Sequence, residues 1–261
     1  MSFWEHLDAL RSVLLRGIII VLVVMIALFA AMPTIFDAVI LWPCRGDFAL
    51  YRLFAKMTGA VSWIPDFSTQ DFQVSLVNIR LASQFFIHLT SACWLAVVIS
   101  FPVLLYLLWT FIAPALYARE KRGVRVAFSL GCVMFYIGLA VGYFIVFPVT
   151  LRFLADYHLS ATIPNVISLD SYMDTFLMMI FIMGVVFELP LLAWMLGAVG
   201  VLHRDFFKTY RRHAIVVLLI LAAVITPTGD PFTLMVVFLP IYILYEFSAL
   251  LVPANTQLSQ H

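Results

Sequence analysis

LASQFFIHLTSACWLAVVISFPVLLYLLWTFIAPALYA, residues 81–118, contains no Asp, Glu, Lys or Arg. In helical form it would run about 57 Å at ~1.5 Å per residue, nearly twice the ~30 Å hydrocarbon core of a bilayer. A tilted or broken membrane helix is therefore expected, with Pro102 and Pro114 as the places for a kink and an end. The rest of the chain shares this character: 64% of residues are hydrophobic and 11% charged, with a mean hydropathy of +1.08. Soluble domains carry about 25% charged residues, so this chain lacks the side chains to coat a water-facing surface. The fold class that follows is an all-α integral membrane protein. A formal net charge of +1 excludes bulk attraction to nucleic acid and leaves the lipid bilayer as the medium.

Working outward from that stretch, the apolar runs predict six transmembrane helices at about 13–32, 84–112, 126–151, 175–202, 214–226 and 232–246. The last two are short, and a re-entrant hairpin is the alternative to two thin spans. The first is expected to stop at Pro33 and reads as a retained helix, not a signal peptide. Residues 33–80 form the one sizeable extramembrane segment, rich enough in aromatics to pack as an interfacial cap. The whole of 1–252 then makes a single transmembrane domain, followed by a tail at 253–261. Arg11, Arg16, Arg119, Lys121, Arg122, Arg125, Arg204, Lys208, Arg211 and Arg212 fall on one side of this layout, and only Arg45, Arg52, Lys56, Arg80 and Arg152 on the other. The positive side is cytoplasmic, which places both termini in the cytoplasm.

Few residues point to chemistry. Glu188 lies mid-span before Pro190, where a carboxylate faces a protein interior or a watery cavity by default. It reads either as a polar binding site or as a protonated hydrogen bond between helices. Glu120 stands among Arg119, Lys121 and Arg122 in a cytoplasmic loop; it reads either as part of a solvated topology signal or as a carboxylate aimed at a cationic ligand. Asp230 suits turn chemistry. His88 and His158 are isolated, and Cys44, Cys93 and Cys132 show no metal or disulfide spacing, so no metal site or cofactor is expected. Phosphate-cradling loops, a GxSxG elbow and an HExxH pair are absent. Hydrolysis and ATP-driven transport lose support, and no internal duplication marks a transporter of inverted repeats.

Several strings are nonetheless specific. Phe3-Trp4-Glu5-His6-Leu7-Asp8-Ala9-Leu10-Arg11 resembles the HLxELRxR opening of the TatC family, the multispanning receptor subunits of the twin-arginine (Sec-independent) protein translocase. Phe111 to Arg122 resembles the family's first cytoplasmic loop and its approach. Phe135-Tyr136-Ile137-Gly138 with Tyr143 to Pro148 resembles its third helix, Phe187-Glu188-Leu189-Pro190 its fourth, and Thr226-Pro227 with Pro240 to Glu246 its end. The resemblance runs in order from Phe3 to about Val252.

It implies a concave bundle with a binding role and no enzymatic activity. The protein would be a core subunit in the bacterial cytoplasmic (inner) membrane that binds twin-arginine signal peptides of folded cargo. It would recruit TatA- and TatB-type single-span subunits, self-associate, and draw on the proton-motive force. By the same resemblance Glu120, with Phe111, Arg119 and Arg122, and the opening residues Glu5, Asp8, Leu10 and Arg11 would receive the signal peptide. A guanidinium's planar fork favours a carboxylate partner of this kind. Glu188 would be the family's mid-membrane acid, and Thr226 and Glu246 would contact partner subunits. Ala9 stands where the family opening has its acid, with Asp8 about 100° away on a helix, and Val13 replaces its second arginine. The alternative from the residues alone is a proton-coupled secondary transporter of small solutes using Glu188.

Overall fold

An apolar chain in lipid must satisfy its backbone internally, and helices do so segment by segment. The structure, a computed structural model, describes residues 3–52, 72–113, 118–158, 160, 165–198, 202–226 and 230–252, with the backbone alone at 3–6, 118–125 and 198. Helix α1 spans Phe3–Ile35, α2 Ser83–Ile112, α3 Ala118–Val141, α4 Phe147–Asp156, α5 Leu169–Val186, α6 Leu189–Ala198, α7 Arg204–Thr209, α8 Arg211–Ile225 and α9 Pro231–Leu251. Among the described residues five stretches are long and apolar enough to cross a membrane: Leu7–Cys44, Ser83–Ile112, Val126–Asp156, Leu169–Gly197 and Pro231–Leu251. Helix α8 holds 15 residues and is shorter than these, about 22 Å long.

Helix α2 stops at Ile112, capped by Ala113 just before Pro114, as expected, but Pro33 does not end its helix. Helix α1 runs through Pro33 and continues as a π-helical turn, Phe36–Ile40. Helix α2 runs unbroken through Pro102. The reason lies in what becomes of the carbonyl that each proline fails to bond. Pro33 has no N–H for Phe29 O, and His88 Nε2 lies 2.8 Å from that oxygen, its ring stacked on Phe29 at 4.0 Å. A carbonyl only accepts, so Nε2 carries the proton. Pro102 leaves Val98 O, and the Tyr136 hydroxyl donates to it at 3.0 Å. In each case an aromatic donor from another segment takes the freed acceptor, which removes the penalty of an unpaired carbonyl in lipid. His88, isolated in the sequence, has this partner.

Helices α1 and α2 pack antiparallel. Small residues Ser91, Ala92, Ala96 and Ser100 are buried along α2, and Gly17 approaches Leu104 so closely that a Cβ there would lie 3.2 Å from Leu104 Cδ2. Helix α3 packs on α5 in the same way: a Cβ at Gly138 would stand 2.6 Å from Met183 O. Close backbone approach through small residues is how helices associate without a hydrophobic drive. The core between them is apolar, with Phe135, Val146, Met179, Met183 and Ile241 fully buried.

The described part of the first extramembrane segment packs as a cap. Phe48 and Tyr51 are buried, and the Tyr51 hydroxyl sits between the carbonyls of Pro43 and Pro148 at 3.0 and 3.2 Å. Burial pushes the Tyr51 phenol up, which keeps it a donor. Arg152 is buried with its guanidinium 4.3 Å from the Phe72 ring centroid and 5.6 Å from that of Tyr51. A two-residue parallel ladder, Leu76–Val77 against Ile167–Ser168, ties this segment to the next connection. Arg80 bonds Asp170 at 2.6 Å, and Ser83 donates to the same carboxylate.

Candidate functional site

The fourth predicted span begins earlier than expected, at Leu169, and is interrupted at its acid. Helix α5 ends at Val186, and Phe187 and Glu188 form a turn before α6. Pro190 cannot bond Val186 O, so the local chain closes with Phe187 N to Met183 O and Glu188 N to Val185 O, both 3.0 Å. This break turns the Glu188 side chain onto α3. A Cβ at Gly131 would lie 2.8 Å from Glu188 Oε2 and 2.5 Å from Leu191 Cδ2. Only glycine leaves the carboxyl that space. Glu188 Oε1 is buried and lacks a hydrogen-bond partner among the described residues.

Gly131 and Pro190 also line a groove of about 680 Å³, with Leu130, Met134, Trp194 and Phe247. Its walls come from α3, α6 and α9 and are almost wholly apolar. A carboxyl with an unused, buried acceptor thus stands behind the Gly131 and Leu191 wall of an apolar groove. That arrangement suits an apolar helix bearing one polar donor, because the donor is then taken out of lipid with a partner.

The other predicted residues fall at three places. Leu10 is half-buried, and Asp8 and Arg11 are exposed, near the start of α1. The antiparallel register fixed by Phe29 on His88 and Gly17 on Leu104 sets this start level with the last turn of α2, where Phe111 is half-buried. Residues 118–125 are not a loop: they form the first turns of α3. Ala, Arg, Glu and Lys are strong helix formers, and an acid in the first turn suits the helix dipole. The side chains of Glu5, Arg119, Glu120 and Arg122 lie outside the described residues. The two expected partner contacts are engaged within the chain. Thr226 is buried and its hydroxyl donates to Ala222 O at 3.0 Å. Glu246 accepts from Arg211 at 2.5 Å and from Tyr242 at 2.9 Å, which ties α8 to α9. Asp230 takes the turn role expected of it, capping α9 by accepting from Thr233 N at 2.7 Å.

Sequence reasoning found Glu188 but missed Gly131 and Trp194. The seven-residue spacing of Gly131 to Gly138 is the available signal for one close-packed face. Among the described residues no group of three or more potential metal ligands occurs.

Comparison with known proteins bears on the whole chain. The profile of the family described as "Sec-independent protein translocase protein (TatC)" matches residues 5–240. The Sec-independent protein translocase protein TatC of Blattabacterium sp. subsp. Periplaneta americana is 33% identical over 250 residues, covering 95% of this chain and 93% of that one. The TatC of Halothiobacillus neapolitanus is 35% identical over 247 residues; the match covers 94% of this chain and 60% of that relative's length. A crystal structure of the twin-arginine translocase receptor TatC superposes with a TM-score of 0.70 at 27% identity, covering 94% of this chain and 97% of that one.

Proposed function

This chain belongs to the TatC family of Sec-independent protein translocase proteins, multi-pass membrane components of a protein translocase, and from that premise we propose that it is the signal-peptide receptor of a twin-arginine system. Folded cargo is presented by a signal peptide whose arginine pair docks on the cytoplasmic face, with Glu120 as its carboxylate partner. Phe111, Arg119, Arg122 and the opening residues Glu5, Asp8, Leu10 and Arg11 surround that dock. The apolar part of the signal peptide, or the single span of a TatA- or TatB-type subunit, then reaches Glu188. Helix α8 serves as a short sixth span, so both termini are cytoplasmic and the membrane is the bacterial inner membrane. Residues 1–252 act as one transmembrane domain with 253–261 as a tail. Thr226 and Glu246 border the surface offered to partner subunits, Glu246 by holding α8 on α9. Copies of the chain associate, and the proton-motive force drives transport.

The observation that carries this reading is the unpartnered Glu188 Oε1 beside the groove of Gly131, Pro190 and Trp194. A receptor for helices needs an apolar seat and a polar selector, and this pair supplies both. Family membership displaces the small-solute carrier, since the relatives are protein translocase components. Glu188→Gln keeps size and hydrogen bonding but removes the charge, whereas Glu188→Leu removes the acceptor. Export of a twin-arginine reporter is expected to survive better in Glu188→Gln than in Glu188→Leu. Undiminished export in Glu188→Leu would remove Glu188 from the mechanism.

A further inference from the structure

Helices α7 and α8 meet at Tyr210, where the helical ladder is interrupted: Tyr210 N bonds Phe206 O, closing α7, and Ala214 N bonds Tyr210 O, opening α8, both at 2.9 Å. Every fourth residue of α8 from 212 reads Arg212, Val216, Ile220, Val224, and α7 carries Arg204 and Lys208 just ahead of the turn. Within α8 each step turns only about 40°, so the row leads from the Arg212 cation into aliphatics, with Lys208 one turn ahead on α7. Lys208 and Arg212 are exposed and Arg204 half-exposed; Val216, Ile220 and Val224 are 56%, 60% and 63% exposed. The opposite face of α8 is inside, with Leu218, Ala222 and Ile225 buried. Arg211 is taken by Glu246, but no ion pair or hydrogen bond engages the side chains of Arg204, Lys208 or Arg212 among the described residues. Asp205 is the nearest acid in sequence, about 100° round the helix from Arg204 and about 60° from Lys208, and makes no ion pair with either among the described residues. Phe207 pins α7 to the bundle, buried against Ala193 and Val252, with its carbonyl accepting from Tyr245 at 2.8 Å. The cations are thereby held in place, beside the exposed rings of Phe206 and Tyr210.

We propose that this row is a binding site for an anionic phospholipid, its phosphate held by Lys208 and Arg212 with Arg204, and an acyl chain lying along Val216 and Ile220. The proposal rests on α8 being the short span proposed above. A rod of about 22 Å in a core of ~30 Å draws the headgroups inward at its ends, so lipid phosphates meet the cations at the depth where the aliphatic row begins. Charge complementarity selects the anionic headgroup; interfacial Lys and Arg attract such lipids individually. A zwitterionic lipid fits the apolar row equally and gains little from the cations.

The full chain, purified in neutral detergent, tests this by native mass spectrometry with phosphatidylglycerol or phosphatidylcholine of the same acyl chains. Phosphatidylglycerol is expected to be retained in preference. The Lys208→Gln/Arg212→Gln variant is expected to bind it about thirtyfold more weakly, the loss of two interfacial cations. Lys208→Arg/Arg212→Lys and the control Arg52→Gln are expected to keep it. Equal retention of both lipids, undiminished binding in the glutamine variant, or equal loss in Arg52→Gln would overturn the site. Inorganic phosphate displacing the lipid at millimolar concentration would also overturn it, by showing a bare anion site. The span itself is tested separately with Ile220→Cys, all native cysteines replaced by serine, in lipid nanodiscs. Labelling by a membrane-impermeant maleimide would remove the short span and the lipid site with it; no labelling with no lipid preference removes the lipid site alone.

Discussion

Tyr136 shows how one hydroxyl stabilises a helix it does not belong to. Its bond to Val98 O exists because Pro102 cannot make that bond. Tyr136→Phe should therefore cost about 0.6 kcal/mol, the mean for hydrogen bonds between membrane helices, and at most about 1.7 kcal/mol. In a Pro102→Ala background the helix supplies its own donor, and the same substitution should cost close to nothing. Denaturant unfolding of the four proteins in micelles measures the coupling; an equal cost in both backgrounds would show that the hydroxyl does not serve the proline. The sequence displayed Pro102 and Tyr136 but not their meeting, because a freed carbonyl is a defect until tertiary packing brings a donor. Glu188 differs: its cost in lipid marks it in any reading of the chain, yet only the break after Val186 shows that it faces Gly131.

The two glycines of α3 separate packing from site. At Gly138 a methyl group would meet a backbone carbonyl, Met183 O, and the Cβ of Phe187 at 2.7 Å, neither of which moves alone. Gly138→Ala should force α3 from α5 and destabilise the fold by about 1–3 kcal/mol, read as a lower midpoint of thermal unfolding in detergent. At Gly131 the nearest atoms are the ends of Leu191 and Glu188 side chains, which swing aside. Gly131→Ala should leave stability nearly unchanged and reduce export by moving the carboxyl. Equal destabilisation by both would show the groove to be a packing feature only. Helix existence was legible from apolar runs, whereas helix ends were not. The expected loop at 118–125 is helical, since a charged sequence of strong helix formers reads as loop only when charge is taken for disorder.

Across the molecule, two cations on the capped side hold the structure unequally. Arg80 pairs with Asp170 with its side chain 72% exposed, whereas Arg152 is buried against Phe72 and Tyr51. Arg80→Ala should change stability little, since an exposed ion pair is screened by water, while Arg152→Ala should cost about 2 kcal/mol or more through its lost ring contacts and loosen the cap, read as faster proteolysis of the extramembrane segment. The helical, multi-pass character and the one-sided charge were legible at this scale because lipid imposes them on composition. The central claim is that the end of the bundle where α1 starts level with the last turn of α2, proposed above to be cytoplasmic, reads an arginine pair through Glu120. A photoreactive residue at position 120 in membrane-embedded protein, offered a signal peptide with its arginine pair or with two lysines in its place, tests that claim most directly. Crosslinking to the arginine form and its loss in the lysine form is the predicted result. Equal crosslinking to both, or to neither while the protein inserts and folds normally, would contradict it.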